Sequence, residues 1–369
     1  MRSTNITYIP ALDQLRGYAA LLIVFYHGLH TISYKLLYNE AFKPDNWPKS
    51  NWVFDAAVFE GHTAVAMFMV LSGFIFTIGS FEKKINYKNF IRNRFLRTYP
   101  LFLVILILGM IAAPQNITVS ALMKTIFFMS NASGAFHSGA FTAMFWTVAI
   151  EWQFYLVFPL LLWLAKIKKG TLLILLIGLF VILRALMVAN GSSPRDLSYW
   201  TIWGRMDEFL FGMISGIIYI KVHQKSVFYD LLAILFLITI NIYLYALNIY
   251  GGWPSDDGWK ILTPTIEGFL WGGFILGFLS FAERIPKYIG IVFCQIGKIS
   301  YSVYLLHFIV LAYVIKWNWF IHISESNVYL NALATTVLVV LPITLCVSAV
   351  SYKIIEEPFL KKRSLYTKA

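Results

Sequence analysis

Two ionisable residues, Arg16 and His27, lie in a stretch of the chain that is otherwise apolar enough to enter a lipid bilayer. Residues 12–30 read LDQLRGYAALLIVFYHGLH. In an α-helix, the eleven steps between them make three turns plus about 20°, so both side chains point the same way, ~16 Å apart along the axis. A charge in a membrane helix costs at least ~2.5 kcal/mol and usually faces a bundle interior or a wet cavity. The shared face predicts that this helix lines a functional site.

These two side chains could perform proton transfer and anion binding. Neutral His27 could act as a general base, because an imidazole has a pKa near neutrality; a hydrogen-bonded packing histidine is the structural alternative. Arg16 could hold a phosphate or stabilise an oxyanion. Asp13 precedes Arg16 by three residues, a spacing that also predicts a local salt bridge. Snorkelling of the arginine to the membrane surface is a further alternative.

Two more segments place polar residues beside or within apolar ones. RNRFLRTYP puts Arg94 and Arg97 before an apolar run. Anchoring at the membrane surface explains them, and an anion site is the alternative, because arginine forks match phosphate and a helix N-terminus favours negative charge. In MFMVLSGFIF, the pair Ser72-Gly73 favours close helix packing. Gly73 could also admit a ligand close to the backbone.

Aromatic residues surround Glu151 in FWTVAIEWQFYLVFP. A carboxylate in such a helix needs a cationic or hydrogen-bonding partner. Two alternatives stay open: an ion pair with an arginine such as Arg205, and orientation of His27. Arg205 itself stands with Asp207 and Glu208 in GRMDEFLFGM, a cluster that we expect to be a solvated helix end.

The segment GKISYSVYLLH carries a polar stripe of four residues, Ser300, Tyr301, Tyr304 and His307. Their spacing places them on one side of a helix. This pattern suits a cavity wall, and hydrogen bonding between helices is the alternative.

Composition identifies a membrane protein. Of 369 residues, 59% are hydrophobic and 13% charged, against ~25% charged in soluble domains, and the mean hydropathy is +0.69. Ten apolar segments of spanning length predict an all-α transmembrane bundle of about ten helices, a single domain over 1–369 with no appended soluble domain. They are 12–29, 63–79, 96–112, 140–164, 171–188, 204–220, 229–247, 264–282, 299–315 and 328–351.

Several function classes lack support in the sequence. No His, Cys and Asp cluster has zinc spacing, and no GxxxxGK[ST], GxGxxG or GxSxG motif occurs in the required context. The net charge of +12 does not lie on a soluble face interleaved with aromatic residues, so nucleic-acid binding is not supported. Cys294 and Cys346 lie in or near apolar segments, so no disulfide framework is expected.

The positive charges predict an orientation. Of thirty Lys and Arg residues, twenty fall on one side of the predicted bundle, Arg2 and Lys169 among them, and seven on the other; the last three lie within or beside helices. Cytoplasmic loops carry the excess of Lys and Arg. Both termini are therefore predicted to be cytoplasmic, and the first helix, which has no cleavage site, is predicted to be retained.

Seven motifs together resemble the acyltransferase 3 family of integral-membrane acyltransferases, which O-acylate bacterial surface glycans and related acceptors. In chain order they are LDQLRGYAALLIVFYH, MFMVLSGFIF, RNRFLRTYP, FWTVAIEWQFYLVFP, GRMDEFLFGM, GKISYSVYLLH and EEPF. The match runs nearly end to end. One departure is the presence of Met67 and Met69 where relatives often have aromatic or other apolar residues, and we attach no functional meaning to it.

The resemblance implies transfer of an acyl group, usually acetyl from cytoplasmic acetyl-CoA, to a hydroxyl of a glycan or lipid-linked sugar. It implies no resident cofactor or metal, and the lipid bilayer of the bacterial plasma (inner) membrane as the location. Some relatives add a periplasmic SGNH-type domain, so either the bundle acts alone or a separate periplasmic partner finishes the transfer.

The resemblance also implies the roles of particular residues. His27 and Arg16 are the family's key residues, and Glu151 belongs with them as catalytic. Residues expected to contact substrate are Arg94, Arg97, Trp146, Ser72, Tyr301 and His307. Since ~16 Å separates Arg16 from His27, we favour His27 as the base and Arg16 as a CoA-side or structural residue. Direct transfer and an acyl-histidine intermediate both stay open, and a transporter or flippase is the rival function.

Overall fold

A computed structural model describes residues 8–168, 170–222 and 225–368. Arg2 and Lys169, which contribute to the predicted cytoplasmic charge, lie outside the described residues. Sixteen α-helices form the described part of the chain: α1 Pro10–Tyr38, α2 Ala56–Phe59, α3 Thr63–Ser80, α4 Tyr87–Ala112, α5 Val119–Ile126, α6 Phe145–Ile167, α7 Thr171–Ala189, α8 Pro194–Trp200, α9 Ile202–Val222, α10 Val227–Ile249, α11 Thr263–Phe281, α12 Lys287–Lys298, α13 Ser300–Lys316, α14 Val328–Thr335, α15 Leu341–Ser351 and α16 Glu357–Leu360.

The predicted all-α membrane bundle is confirmed. Within the described residues, eight helical stretches are long and apolar enough to cross a membrane, or nine if the bent pair α12 and α13 forms one span. The remaining predicted segment, 204–220, lies in α9, which has 21 residues but carries charged groups. Two π-helical turns, Thr336–Val340 and Tyr352–Glu356, join α14, α15 and α16 into one stretch.

The first helix is longer than its apolar segment. Pro10 occupies its first turn, where the missing N–H costs nothing, and the helix ends at Asn39, which has a left-handed φ of 54°. Arg16 therefore lies near the start of α1, and His27 lies in its second half. We name the two ends of the bundle the Arg16 side and the His27 side.

Close contacts between backbones fix how α3 and α9 are rotated relative to each other. A Cβ at Gly73 would collide with the backbone carbonyl of Phe209 on α9, and one at Gly212 with that of Val70 on α3. Only glycine permits such an approach. The predicted packing role of Gly73 is therefore confirmed, and it turns the neighbouring Ser72 away from α9.

The helix α12 was not among the predicted elements. It lies along the beginning of α1, where a Cβ at Gly297 would collide with the backbone of Asp13. A bend of 73° separates α12 from α13. The far face of α12 leaves Tyr288, Ile291 and Val292 exposed, as expected for a helix lying at the membrane surface.

The end of the chain returns to the Arg16 side. A two-stranded antiparallel sheet pairs β1 Lys84–Ile85 with β2 Thr367–Lys368, with Ile85 opposite Thr367. The C-terminal residues therefore lie beside the start of α4, where Arg94 and Arg97 also lie.

Candidate active site

A cavity of about 250 Å³ lies between α1, α3, α4, α6 and α13, against the segment that follows α15. We call it the Arg16-side cavity. Six residues predicted for the site contribute to its wall: Arg16, Ser72, Arg94, Arg97, Glu151 and Tyr301. The other three, His27, Trp146 and His307, do not line it.

Two of the arginines in this wall are paired with carboxylates. Arg16 Nη1 lies 2.6 Å from Asp13 Oδ1, which confirms the predicted local salt bridge. Arg97 Nη1 lies 3.0 Å from Glu356 Oε2. Both arginines keep part of the side chain exposed toward the cavity, so each retains donors for a ligand.

Arg94 is held differently. Its guanidinium carbon lies 4.7 Å from the centroid of the Phe76 ring, an attractive cation–π geometry. Its buried Nε has no hydrogen-bond partner among the described residues. The expected help from a helix N-terminus is wrong: α4 begins at Tyr87, about two turns earlier, so anion binding here depends on the guanidinium groups.

Glu151 has neither of the two expected partners. Its Oε1 accepts a hydrogen bond from Ser72 Oγ at 2.9 Å, and its Oε2 accepts one from Tyr155 Oη at 2.8 Å. Neutral donors therefore stabilise this carboxylate in the cavity wall. Arg205 is engaged elsewhere, and His27 is bound by another residue.

His27 and His307 form a hydrogen-bonded pair. His27 Nδ1 lies 2.9 Å from His307 Nε2, and the rings stack with centroids 5.1 Å apart. His307 Nδ1 lies 3.0 Å from the carbonyl oxygen of Val303. A carbonyl only accepts, so His307 Nδ1 carries the proton and His307 Nε2 accepts. His27 Nδ1 must then donate, and the neutral ring keeps an unprotonated Nε2, as a base requires.

The pair lies just beyond the end of the Arg16-side cavity. Gly61 packs against Leu22 and Tyr26, which places His27 at the depth of residues 61–62. The outermost α3 residue in the cavity wall is Val65, one helical turn or about 5.4 Å away. On α13, the wall reaches Tyr304, one turn before His307. The predicted stripe is therefore a cavity wall at Ser300, Tyr301 and Tyr304, but not at His307.

The polar cluster at the start of α9 is buried, so the expectation of a solvated helix end is wrong. Arg205 Nη1 lies 2.5 Å from Glu208 Oε1 and 3.8 Å from Glu267 Oε2. Arg184 pairs with Asp207 at 2.7 Å, and neither side chain is exposed. Opposite charges from three helices therefore compensate one another inside the bundle.

Trp146 belongs to the surroundings of this ionic cluster. Its ring centroid lies 5.0 Å from that of Tyr199 and 4.6 Å from that of Trp200. The guanidinium of Arg205 lies 5.9 Å from the Trp146 ring. The tryptophan thus lies one residue from Thr147, which lines the Arg16-side cavity, but faces aromatic partners.

A second cavity, of about 20 Å³, lies beside His62, immediately before α3; this is room for about one water molecule. We call it the His27-side cavity. Its wall includes Tyr199 and Trp253. Among the described residues, five buried polar atoms of its wall have no hydrogen-bond partner: His62 Nδ1, Ser198 Oγ, Arg205 Nη2, Trp253 Nε1 and Thr263 Oγ1. Tyr26 connects it to His27, with ring centroids 5.9 Å from His62 and 4.8 Å from His27.

The loop before α3 is held by a buried carboxylate. Glu60 accepts hydrogen bonds from Trp47 Nε1 and Asn248 Nδ2, both at 2.7 Å, and from the backbone N–H of Trp253 at 3.2 Å. Burial raises the pKa of Glu60 to about 7, against the opposing effect of these donors. Glu60 therefore joins the α1–α3 loop to the wall of the His27-side cavity.

No group of three or more His, Cys, Asp or Glu side chains within the described ranges could hold a metal ion. Arginines and aromatic rings line the two cavities instead. This chemistry suits an organic anion in the Arg16-side cavity and a polar ligand in the His27-side cavity.

Comparison with known proteins gives the family. The family model described as "Acyltransferase domain", that of acyltransferase 3, matches residues 9–353. The chain belongs to the acyltransferase 3 family. The match covers α1 to the second π-helical turn and so includes every residue of the Arg16-side cavity wall from Ile9 to Tyr352.

Relatives of this acyltransferase 3 protein come from different sources. A provisionally named acetyltransferase of Acidianus two-tailed virus is 25% identical over 81% of this chain and 82% of its own length. A provisionally named O-acetyltransferase of Staphylococcus aureus (strain COL) is 26% identical over 96% of this chain, which spans 58% of that relative. Peptidoglycan O-acetyltransferase OatA of Listeria monocytogenes is 26% identical over 57% of this chain and 33% of its own length. No solved structure matches the chain.

Sequence analysis missed several residues of the candidate site. Arg363 lines the Arg16-side cavity from the C-terminal segment, yet the sequence showed only a basic tail. Glu60 and His62 lie in a loop, outside the apolar segments in which charges attract attention. An acidic residue two positions before a histidine, immediately before a predicted span, was the signal available for them.

Proposed function

We propose that this chain is an integral-membrane O-acyltransferase that moves acetyl from cytoplasmic acetyl-CoA to a hydroxyl of a cell-surface or lipid-linked saccharide. The observation that carries the proposal is the Arg16-side cavity, which has arginines at its mouth and leads toward a histidine pair. The names of the relatives from Staphylococcus aureus and Listeria monocytogenes support O-acetyl transfer.

The donor enters from the Arg16 side. Coenzyme A carries a pyrophosphate and a 3′-phosphate, and planar guanidinium groups bind such oxygens in pairs. Arg16, Arg94 and Arg97 supply these donors. The pantetheine arm then passes along α3, where the Glu151 carboxylate and Tyr301 can bond its amide groups. Arg16 acts at the CoA end, ~16 Å from His27.

His27 acts as general base on the acceptor hydroxyl. The hydroxyl oxygen attacks the thioester carbonyl carbon while its proton passes to His27 Nε2. The tetrahedral intermediate then expels the sulfur, which takes the proton back from His27. The C–O ester bond replaces the C–S bond, and the products are the acetylated sugar and free CoA. General-base catalysis of this kind contributes ~10²–10⁴-fold.

Access to His27 requires a local opening. Phe68 and Tyr304 form the end of the Arg16-side cavity wall, with ring centroids 6.0 Å apart. Rotation of these side chains would extend the Arg16-side cavity by the one helical turn that separates it from His27. The thioester could then reach His27 Nε2. The bound pantetheine arm would supply the contacts that favour this open arrangement.

The acceptor approaches from the His27 side. Sugars bind to aromatic faces and hydrogen-bonding groups, and Tyr199, Trp253 and the unpartnered Arg205 Nη2 supply both. The His27-side cavity is small, so only the reacting hydroxyl enters it. A separate periplasmic partner that presents or receives the acetylated glycan fits this geometry. In a bacterial plasma membrane with both termini cytoplasmic, as the Lys and Arg bias indicates, this side is periplasmic.

The test is acetyl transfer by purified protein in detergent. His27→Ala should insert into membranes and bind CoA normally, but should transfer no labelled acetyl from acetyl-CoA to a saccharide acceptor. Substantial transfer by this variant would remove His27 from the mechanism. A transporter or flippase would show neither transfer nor acetyl-CoA hydrolysis even with the unmutated chain.

A further inference from the structure

The segment after α16 folds back across the Arg16 side of the bundle. We call residues 361–368 the C-terminal strap. It is held by the pairing of its β2 residues with β1, by a hydrogen bond of 2.7 Å from the Asn86 N–H to the Tyr366 carbonyl, and by Asn93. The buried Asn93 side chain donates to the Ser364 carbonyl at 2.6 Å and accepts from the Ser364 N–H at 3.1 Å. These backbone contacts give the strap a fixed path.

The strap places Arg363 in the wall of the Arg16-side cavity. Its Nε donates to the carbonyl oxygen of Leu360 at 3.2 Å. In the part of the chain that the structure describes, neither Arg363 nor Arg94 forms a salt bridge with a carboxylate. Arg16 and Arg97 each have one. The cavity mouth therefore holds more positive than negative charge.

Electrostatics at Arg363 agree with this count. Burial, together with the positive charges of Arg94 and Arg97, lowers the pKa of Arg363 to about 10. Charged groups of the same sign repel when they are partly removed from water. A polyanion in the cavity would reverse this repulsion, so the cluster is suited to bind one.

We propose that Arg363 binds the 3′-phosphate of acyl-CoA, so that the C-terminal strap completes the donor site. This rests on the proposed function. The 3′-phosphate and the thioester lie at opposite ends of the donor, and the thioester must reach the His27 pair. Arg363 lies outside the last helix, at the opposite end of the cavity from that pair, and therefore meets the adenosine end of the molecule. Arg94 and Arg97, farther along α4, remain for the pyrophosphate.

The experiment compares two donors that differ only in this phosphate, acetyl-CoA and acetyl-dephospho-CoA, with the full chain in detergent. For Arg363→Gln, KM for acetyl-CoA should rise by about tenfold or more, because a charge-assisted fork is lost. Its KM for acetyl-dephospho-CoA should equal that of the unmutated protein. Arg363→Lys, which keeps the charge and loses the fork, should give an intermediate KM for acetyl-CoA.

The matched control is Lys362→Gln. Lys362 is the exposed neighbour on the same strap, with its Nζ 5.3 Å from the Phe359 ring centroid, and its removal should change neither KM. Normal turnover of acetyl-dephospho-CoA by Arg363→Gln shows that this variant is folded. An equal rise for both donors, or no rise for either, overturns the proposal. Failure of the proposed function gives a different result, because the unmutated chain would then transfer no acetyl from acetyl-CoA.

Discussion

At the scale of single residues, the hydrogen bond between His27 and His307 decides which ring nitrogen can act as a base. The Val303 carbonyl fixes the proton on His307 Nδ1, so His307 Nε2 must accept the hydrogen bond that His27 Nδ1 donates. In the proposed mechanism, His307 therefore acts through His27 as a positioning residue and does not itself need to touch the substrate. His307 would thus hold the tautomer of the His27 imidazole, as the aspartate holds that of the histidine in a Ser-His-Asp triad.

Replacement of His307 tests this role. In His307→Gln, the side chain no longer presents an obligatory acceptor to His27 Nδ1, so the productive tautomer is no longer fixed. We expect kcat to fall by at least ~10-fold, within the ~10⁴-fold that general-base catalysis contributes, while KM for acetyl-CoA stays unchanged. The acid limb of the kcat–pH profile should also be displaced.

His30, which lies on α1 with His27, supplies the control. His30 Nε2 lies 2.8 Å from the Phe59 carbonyl, and His30 takes no part in the His27 pair. His30→Gln should keep both kcat and the pH profile. If His307→Gln leaves kcat and the profile unchanged, the positioning role is wrong.

Glu60 gives a prediction about pH and stability. Its folded-state pKa of about 7 lies above the ordinary value of 4.5, so between these values the folded protein holds a proton that the unfolded chain has lost. Stability should therefore fall as pH rises through this window and change no further above it. In Glu60→Gln this loss is absent, so the melting temperature of the variant relative to the unmutated protein should rise from pH 5 to pH 8.

The control for this measurement is Glu40→Gln, on an exposed glutamate of the same loop. Glu40 pairs with Lys43 at 2.6 Å, and such exposed pairs contribute little to stability. Its melting difference should be small at every pH. A difference for Glu60→Gln that does not vary with pH would contradict the assignment.

Residue periodicity predicted that Arg16 faces a cavity, but it could not predict partners on other helices. Glu151 was expected beside Arg205 or His27 and lies instead beside Ser72 and Tyr155. The choice depends on how each helix is rotated about its axis. Backbone contacts at glycines set that rotation, and a single sequence does not show them.

At the scale of elements, one face of α3 packs against α9 and another lines the Arg16-side cavity. Gly73 on one face packs against α9, while Ser72 on the other holds Glu151 in the cavity wall. The close backbone contact therefore positions the residues that line the Arg16-side cavity, including the Phe76 ring beneath Arg94.

Adding one methyl group at Gly73 tests this contact. In Gly73→Ala, the backbone of α9 must move, and such overpacking costs ~1–3 kcal/mol. We expect a lower melting temperature in detergent and a higher KM for acetyl-CoA. Gly178→Ala on α7 is the matched control, because a Cβ there meets no atom within 4 Å, and alanine favours a helix by ~1 kcal/mol. Equal melting temperatures for the two variants would contradict the packing role.

Hydropathy located the long helices well, because a membrane span must be long and apolar. It missed α12 and the C-terminal strap for the same reason. The first is amphipathic and lies along α1. The second is a basic segment whose backbone is held by the Asn86 N–H and by the Asn93 side chain. Such elements are stabilised by contacts distant in sequence, which no local pattern encodes.

At the scale of the whole molecule, two separate cavities approach one histidine pair: the Arg16-side cavity ends about one helical turn short of it, and Tyr26 connects the His27-side cavity to it. The Arg16 side carries arginines, and the His27 side carries aromatic rings and a buried ionic cluster. Under the proposed function, a donor and an acceptor can stay in different compartments, and only the acetyl group needs to pass the pair. This arrangement accounts for an acyltransferase that belongs in a membrane.

Transfer across a sealed membrane tests this central claim most directly. Proteoliposomes with one orientation receive labelled acetyl-CoA on the Arg16 side only and a saccharide acceptor on the His27 side only. We predict labelled ester on the acceptor in the opposite compartment, and none with His27→Ala. Label that reaches only an acceptor on the Arg16 side, or equal transfer by His27→Ala, would contradict the account.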